Sequence, residues 1–228
     1  MMHERIRIMI VDDHPIVRRG LHSLLDVTPG MEVVAEATDG IEAVQKVQIY
    51  NPDVVLMDLV MPRMDGIKAI EEILQNKPET RILVLTSFEE DERLLAALRT
   101  GALGYILKDS NPDLLLQAIQ DVYKGDSYLN PSVLRKLIRG INKDKNIEPV
   151  RETTNLTERE LEVLILVSQG LSNQEAAKRL GVVEGTVRSH ISNILSKLHL
   201  SNRTQAVVYA LREGLAPLDS KEDPLNKS

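Results

Sequence analysis

Two hydrophobic rhythms divide the chain. Between Arg5 and Gly125, short apolar runs alternate with stretches whose apolar residues recur every three or four positions. The runs are Arg5 to Val11, Glu32 to Ala37, Val54 to Met57, Arg81 to Thr86 and Leu103 to Leu107. Short apolar runs bounded by turn residues suit strands buried on both faces of a parallel sheet. The stretches between them predict helices. One carries Ile16, Val17, Leu21, Leu24 and Leu25, with Pro15 in its first turn. Others carry Ala43, Val44 and Val47, then Ile67, Ile70, Ile73 and Leu74. Two more span Glu89 to Thr100 and Asn111 to Lys124. Strand and helix thus alternate five times. That pattern requires right-handed crossovers and a sheet covered on both faces. It predicts a flavodoxin-like (βα)5 fold with parallel strand order 2-1-3-4-5.

From Thr157 onward the rhythm is helical only. Thr157 to Glu160 and Ser172 to Glu175 both show the capping-box spacing that starts a helix. The first of these helices turns Leu161, Leu164, Ile165 and Val167 inward and stops at Gly170. The second buries Ala176, Ala177 and Leu180 and stops at Gly181. A third runs from Glu184 to about His199, with Val187, Ile191, Ile194, Leu195 and Leu198 inward. A fourth runs from about Arg203 to Gly214. These elements predict an α/β domain over 1–127 and a small all-α, four-helix domain over 156–217. The connecting residues 128–155 read as a flexible linker in which Pro131 to Ile141 can hold a short helix, and 218–228 as a flexible tail.

Charge is uneven along this chain. Residues 1–125 carry 13 basic against 21 acidic side chains, and residues 156–217 carry 7 against 6. An acidic front half is compatible with a cation site. The second domain is too weakly basic for nucleic-acid binding to be argued from charge, so that argument rests on motif. The absence of Cys excludes disulfides and thiolate metal sites and fits a reducing, cytoplasmic setting. The N-terminus lacks the long apolar core of a signal peptide, and no apolar run has the length of a membrane span.

The chemistry gathers where the strands end. In the predicted order, strands one, three and four are neighbours, so Asp12, Asp13, Asp58 and Thr86 converge, and Lys108 arrives from strand five. Three carboxylates in one pocket repel each other and call for an oxygen-binding cation. Mg2+ suits two carboxylates completed by water and a phosphate group. One carboxylate could then attack phosphorus as a nucleophile. The Thr86 hydroxyl and the Lys108 ammonium are suitable donors to phosphoryl oxygens. A phosphohydrolase similar to the haloacid dehalogenases is one alternative, but it wants a second Asp two residues after the nucleophile, where this chain has Val60.

Asp12-Asp13, Asp58, Met61-Pro62, Asp65-Gly66, Thr86-Ser87, Tyr105 and Lys108 together resemble the receiver domain of two-component response regulators. The resemblance implies that Asp58 is the phosphoacceptor for a histidine kinase. It further implies that Asp13, Asp58 and the Val60 carbonyl hold Mg2+, with Asp12 helping through water, and that Thr86 and Tyr105 form a switch pair. Where many receivers have Pro after the lysine, this chain has Asp109.

In the helical domain, Gly181-Val182-Val183 separates two helices in the manner of a helix-turn-helix. The third helix places Arg188, Ser189, Ser192 and Asn193 opposite its apolar face. The stretch from Leu156 to Leu198, followed by NRTQAV, is similar to the LuxR-type DNA-binding domain. The two halves together resemble a NarL/FixJ-type response regulator. By that resemblance Arg188, Ser189 and Ser192 face base edges of double-stranded promoter DNA, Thr186 and Lys197 contact its backbone, and the last helix supports a homodimer formed on phosphorylation or DNA binding. Val183 stands where the pattern usually has a capping Ser or Thr. A helical domain that binds protein instead, independently of phosphorylation, is the second alternative.

Overall fold

The computed structural model describes residues 5–86, 96–97, 100–129, 156–200 and 202–215. Three expectations lie outside these residues: most of the helix at Glu89 to Thr100, the short helix in the linker, and the tail. The described residues form two units, taken separately below.

The first unit runs β1 (Ile6–Val11), α1 (Pro15–Asp26), β2 (Met31–Ala37), α2 (Gly40–Tyr50), β3 (Val54–Met57), α3 (Gly66–Asn76), β4 (Arg81–Thr86), β5 (Gly104–Leu107), α4 (Pro112–Tyr123) and β6 (Tyr128–Leu129). All strand pairs are parallel, in the order β2-β1-β3-β4-β5-β6. The expected order is thus present, with one strand added. β6 is two residues long and lies in the segment read as linker, just past the expected boundary at residue 127. Gly125, at φ 83°, turns the chain out of α4, and the Tyr128 amide then donates to the Leu103 carbonyl at 3.2 Å. So short a strand has no periodicity to read, which is why the sequence concealed it.

Side chains alternate across the sheet. Ile8, Ile10, Val54, Leu56, Leu83, Leu85 and Ile106 pack on one face with Leu25 of α1 and with Leu115, Ala118, Ile119 and Val122 of α4. Met9, Val55, Met57, Ile82 and Val84 alternate with these and are also buried, as are Ala43, Val47, Ala69, Ile70 and Ile73 of α2 and α3. Burial on both faces leaves the strand ends as the place where polar side chains can gather. Two helices on this side start at aspartates. Asp39 caps α2 by accepting from the Glu42 amide at 3.0 Å, and Asp65 caps α3 by accepting from the Lys68 amide at 2.9 Å.

The second unit contains α5 (Glu158–Ser168), α6 (Asn173–Leu180), α7 (Glu184–Lys197) and, from Gln205 onward, α8 (Arg203–Arg212). Both expected capping boxes are formed. Gly181, at φ 67°, ends α6 in the left-handed conformation, and Val183 begins α7 without a side-chain cap bond. Val163, Leu164, Val167, Ala176, Ala177, Val187 and Ile194 are buried. Glu160 is buried as well, because it serves two helices. Its Oε2 accepts from the Thr157 amide and from Lys197 Nζ, each at 2.7 Å. The Lys197 ammonium and the Thr157 bond hold its carboxyl below the usual carboxylate range. Among the described residues, no helix is long and apolar enough to cross a membrane.

Candidate functional site

Parallel pairing of Val11 with Met57 sets the ends of β1 and β3 side by side. The next residue on each strand is an aspartate. The Asp58 amide donates to the Val11 carbonyl at 2.9 Å, and the Asp12 amide donates to the Ala37 carbonyl at 3.2 Å. Lys108 follows β5 and reaches back over both. Its Nζ donates to Asp58 Oδ2 at 2.7 Å and lies 2.5 Å from Asp12 Oδ2, a close ion pair without hydrogen-bond geometry. The side chains of Asp12, Asp58 and Lys108 are 2%, 4% and 12% exposed, so water screens these charges poorly.

Burial pushes the Asp58 carboxyl above its ordinary value, and Lys108 opposes that push. Burial also works against the Lys108 charge, but the two carboxylates outweigh it and hold the ammonium above its usual range. One ammonium cannot neutralise the pocket, because Asp13 adds a third carboxylate. Asp12 Oδ2 and Asp13 Oδ1 are buried and have no hydrogen-bond partner. His14 closes the cluster, with Nδ1 2.7 Å from Asp13 Oδ1 and 3.3 Å from Asp12 Oδ1. One ligand atom from each of Asp12, Asp13, His14 and Asp58 falls within 4.8 Å of the others. Three carboxylates converging on one point, with a single ammonium among them, fit a small hard cation such as Mg2+.

The structure therefore brings Asp12, Asp13, Asp58 and Lys108 together, as expected. The Val60 amide donates to Asp58 Oδ1 at a long 3.4 Å, so Val60 borders the pocket through its backbone. Thr86 closes β4 opposite Leu107, while its side chain lies outside what is described. Tyr105 pairs with Val84 and is buried. Sequence reading missed His14, treating it only as the entry to α1, although its place directly after two aspartates was a signal. It also missed Arg18, whose guanidinium donates to the Asp12 carbonyl at 2.8 Å.

In the helical unit, α7 exposes Arg188, Ser189, Ser192 and Asn193 and buries Val187 and Ile194. Thr186 is half-buried. Arg188 donates to Glu184 Oε1 at 2.7 Å, one turn back along the helix. Lys197, expected to reach a nucleic-acid backbone, is held against Glu160.

Residues 8–120 match the response regulator receiver domain, and residues 154–210 match the luxR family of bacterial regulatory proteins. The chain belongs to the response regulators. This response regulator is 39% identical to the transcriptional regulatory protein DegU of Brevibacillus brevis, with 92% of this chain and 94% of that protein covered. It is 42% identical to the transcriptional regulatory protein LiaR of Bacillus subtilis (strain 168), covering 92% and 99%. Among solved structures it is similar to the response regulator ChrA of a heme-sensing two-component system. That match has 38% identity, coverage of 93% and 99%, and a TM-score of 0.52. The RcsB response regulator of Salmonella typhimurium matches at 29% identity, coverage of 90% and 98%, and a TM-score of 0.56. The regulator thus joins a receiver to a LuxR-type DNA-binding domain, a combination that implies a kinase as phosphodonor and DNA as partner.

Proposed function

We propose that Asp58 accepts a phosphoryl group from a histidine kinase, and that this strengthens binding of the helical domain to double-stranded promoter DNA as a homodimer. A carboxylate oxygen of Asp58 forms the new bond to phosphorus. The bond from phosphorus to the donor nitrogen breaks, and an acyl phosphate remains on Asp58. Asp12, Asp13 and Asp58, with the Val60 carbonyl, would hold Mg2+, whose charge offsets that of the carboxylates and the incoming phosphoryl group. Lys108 is positioned to exchange Asp58 Oδ2 for a phosphoryl oxygen, since it already donates to that atom. The Thr86 hydroxyl and the Tyr105 ring are the elements that would relay the change. The observation that carries this reading is the buried Lys108 bridge over Asp12 and Asp58, with Asp13 and His14 closing the same carboxylate cluster. In this reading the regulator catalyses no turnover beyond its own phosphorylation and slow dephosphorylation.

At the DNA end, Arg188, Ser189, Ser192 and Asn193 form the reading face, with Thr186 beside it on the backbone. Lys197, already bonded to Glu160, has two further N–H donors that can reach a phosphate. The test is DNA capture from a random library, with and without acetyl phosphate and Mg2+, using wild type, Asp58→Ala and Arg188→Ala. Phosphorylation should raise specific affinity in wild type and leave Asp58→Ala unchanged. Arg188→Ala should weaken the selected site by about 1–3 kcal/mol more than random DNA. Equal losses on both would make Arg188 a phosphate contact, and salt-insensitive binding would favour a protein partner.

A further inference from the structure

The loop between β3 and α3 carries a feature that the carboxylate chemistry leaves unexplained. Arg63 has a backbone φ of 64°, a conformation that disfavours any residue with a Cβ. Its guanidinium donates to the Asp39 carboxylate and lies 3.3 Å from Glu42 Oε1. The Asp39 side chain is 2% exposed, whereas that of Arg63 is 54% exposed. A buried carboxylate has thus drawn a surface cation onto the start of α2, where Asp39 also serves as the helix cap. Beside this pair, the Gly40 amide donates to the Met64 carbonyl at 3.1 Å. The outer limb of the loop is therefore fixed to α2 by a main-chain bond and an ion pair. Its inner limb is fixed where the Gly66 amide donates to the Leu59 carbonyl at 3.0 Å. Val60 lies between these anchors, three residues before Arg63.

We propose that Arg63 is a positioning residue for the cation site. Clamped to Asp39, it holds the loop so that the Val60 carbonyl and the Asp58 carboxylate face the same point, and so sets Mg2+ affinity. This rests on the cation-site reading above. Simple charge arithmetic predicts the opposite sign. Removing a positive charge near a cation site should tighten Mg2+ binding, whereas removing a clamp should weaken it, as loss of an outer-shell partner does by about 10- to 100-fold.

Calorimetric titration of the full chain with Mg2+ separates the two. Arg63→Gly suits the left-handed backbone while deleting the guanidinium. Asp39→Asn keeps an oxygen to cap α2 but loses the charge. Each should raise the Mg2+ dissociation constant about tenfold. The double variant should be no worse than either single one, and Arg63→Lys should recover part of the affinity. Unfolding midpoints measured in chelator serve as the second readout. Unchanged or tighter Mg2+ binding in Arg63→Gly would overturn the proposal. So would a lowered midpoint with unaltered affinity, which would assign the pair to stability alone. Failure of wild type to bind Mg2+ would overturn the cation-site reading and this proposal with it, whereas normal wild-type binding with unaltered variants overturns only the clamp.

Discussion

Gly66 stands where α3 begins, and its α-carbon leans on the residue that carries the chemistry. A Cβ added there would lie 2.1 Å from the Asp58 carbonyl oxygen, 2.8 Å from Leu59 Cα and 3.0 Å from the Asp58 carbonyl carbon. Comfortable separations for carbon atoms are roughly 3.5–4.0 Å, so the peptide after Asp58 must move by about 1 Å or more. All three atoms belong to the backbone, so no rotamer change relieves the clash. The movement also strains the bond from the Gly66 amide to the Leu59 carbonyl. Overpacking of this kind costs about 1–3 kcal/mol, and a weakened hydrogen bond adds about 1 kcal/mol. Gly66→Ala should therefore destabilise the receiver by about 2–4 kcal/mol. Gly20, inside α1, is the control, because a Cβ there meets nothing within 4 Å. Gly20→Ala should stabilise by about 0.5–1 kcal/mol through helix propensity alone. Urea unfolding followed by circular dichroism measures both. With a slope of about 2 kcal/mol per molar, the Gly66→Ala midpoint should fall by about 1–2 M, while that of Gly20→Ala rises. A Gly66→Ala midpoint unchanged from wild type would refute the close approach.

Asp58→Asn should stabilise the protein at neutral pH in chelator, checked by thermal unfolding. Burial raises the folded-state pKa of Asp58, so its charged form costs stability above that pKa and the cost fades as pH falls towards the unfolded value. The gain from Asn should therefore shrink in acid, and saturating Mg2+ should shrink it at neutral pH. Glu160 behaves in the opposite way. Its folded pKa is depressed, so it contributes stability above its unfolded value, and that contribution is lost as pH falls through the folded one. Glu160→Gln should flatten the acid limb of stability against pH, and Lys197→Met should cost about 1–2 kcal/mol, reduced by the partial exposure of Lys197.

Much of this site was legible because strand order alone carries it. The apolar run from Val54 to Met57 ends at Asp58, the run before Asp12 ends beside it, and parallel pairing does the rest. Lys108 could be placed by the same logic one strand further on. The features that escaped depend on loop path or on long reach. Arg63 meets Asp39 across 24 residues through a left-handed backbone that no periodicity announces. Lys197 meets Glu160 across 37 residues, and its position on the helix gave no sign that a buried carboxylate lay within reach. β6 is too short to show a pattern. The uncapped start of α7 was legible, since Val183 has no oxygen to offer.

The central claim is that Asp58, in a pocket needing a counter-cation, takes up the signal. Incubation with labelled acetyl phosphate, followed by peptide mapping, tests it most directly. The account predicts one labelled site, at Asp58, with label lost in excess chelator and absent from Asp58→Ala. Label that persists in Asp58→Ala, or that forms equally well without a divalent cation, would contradict it.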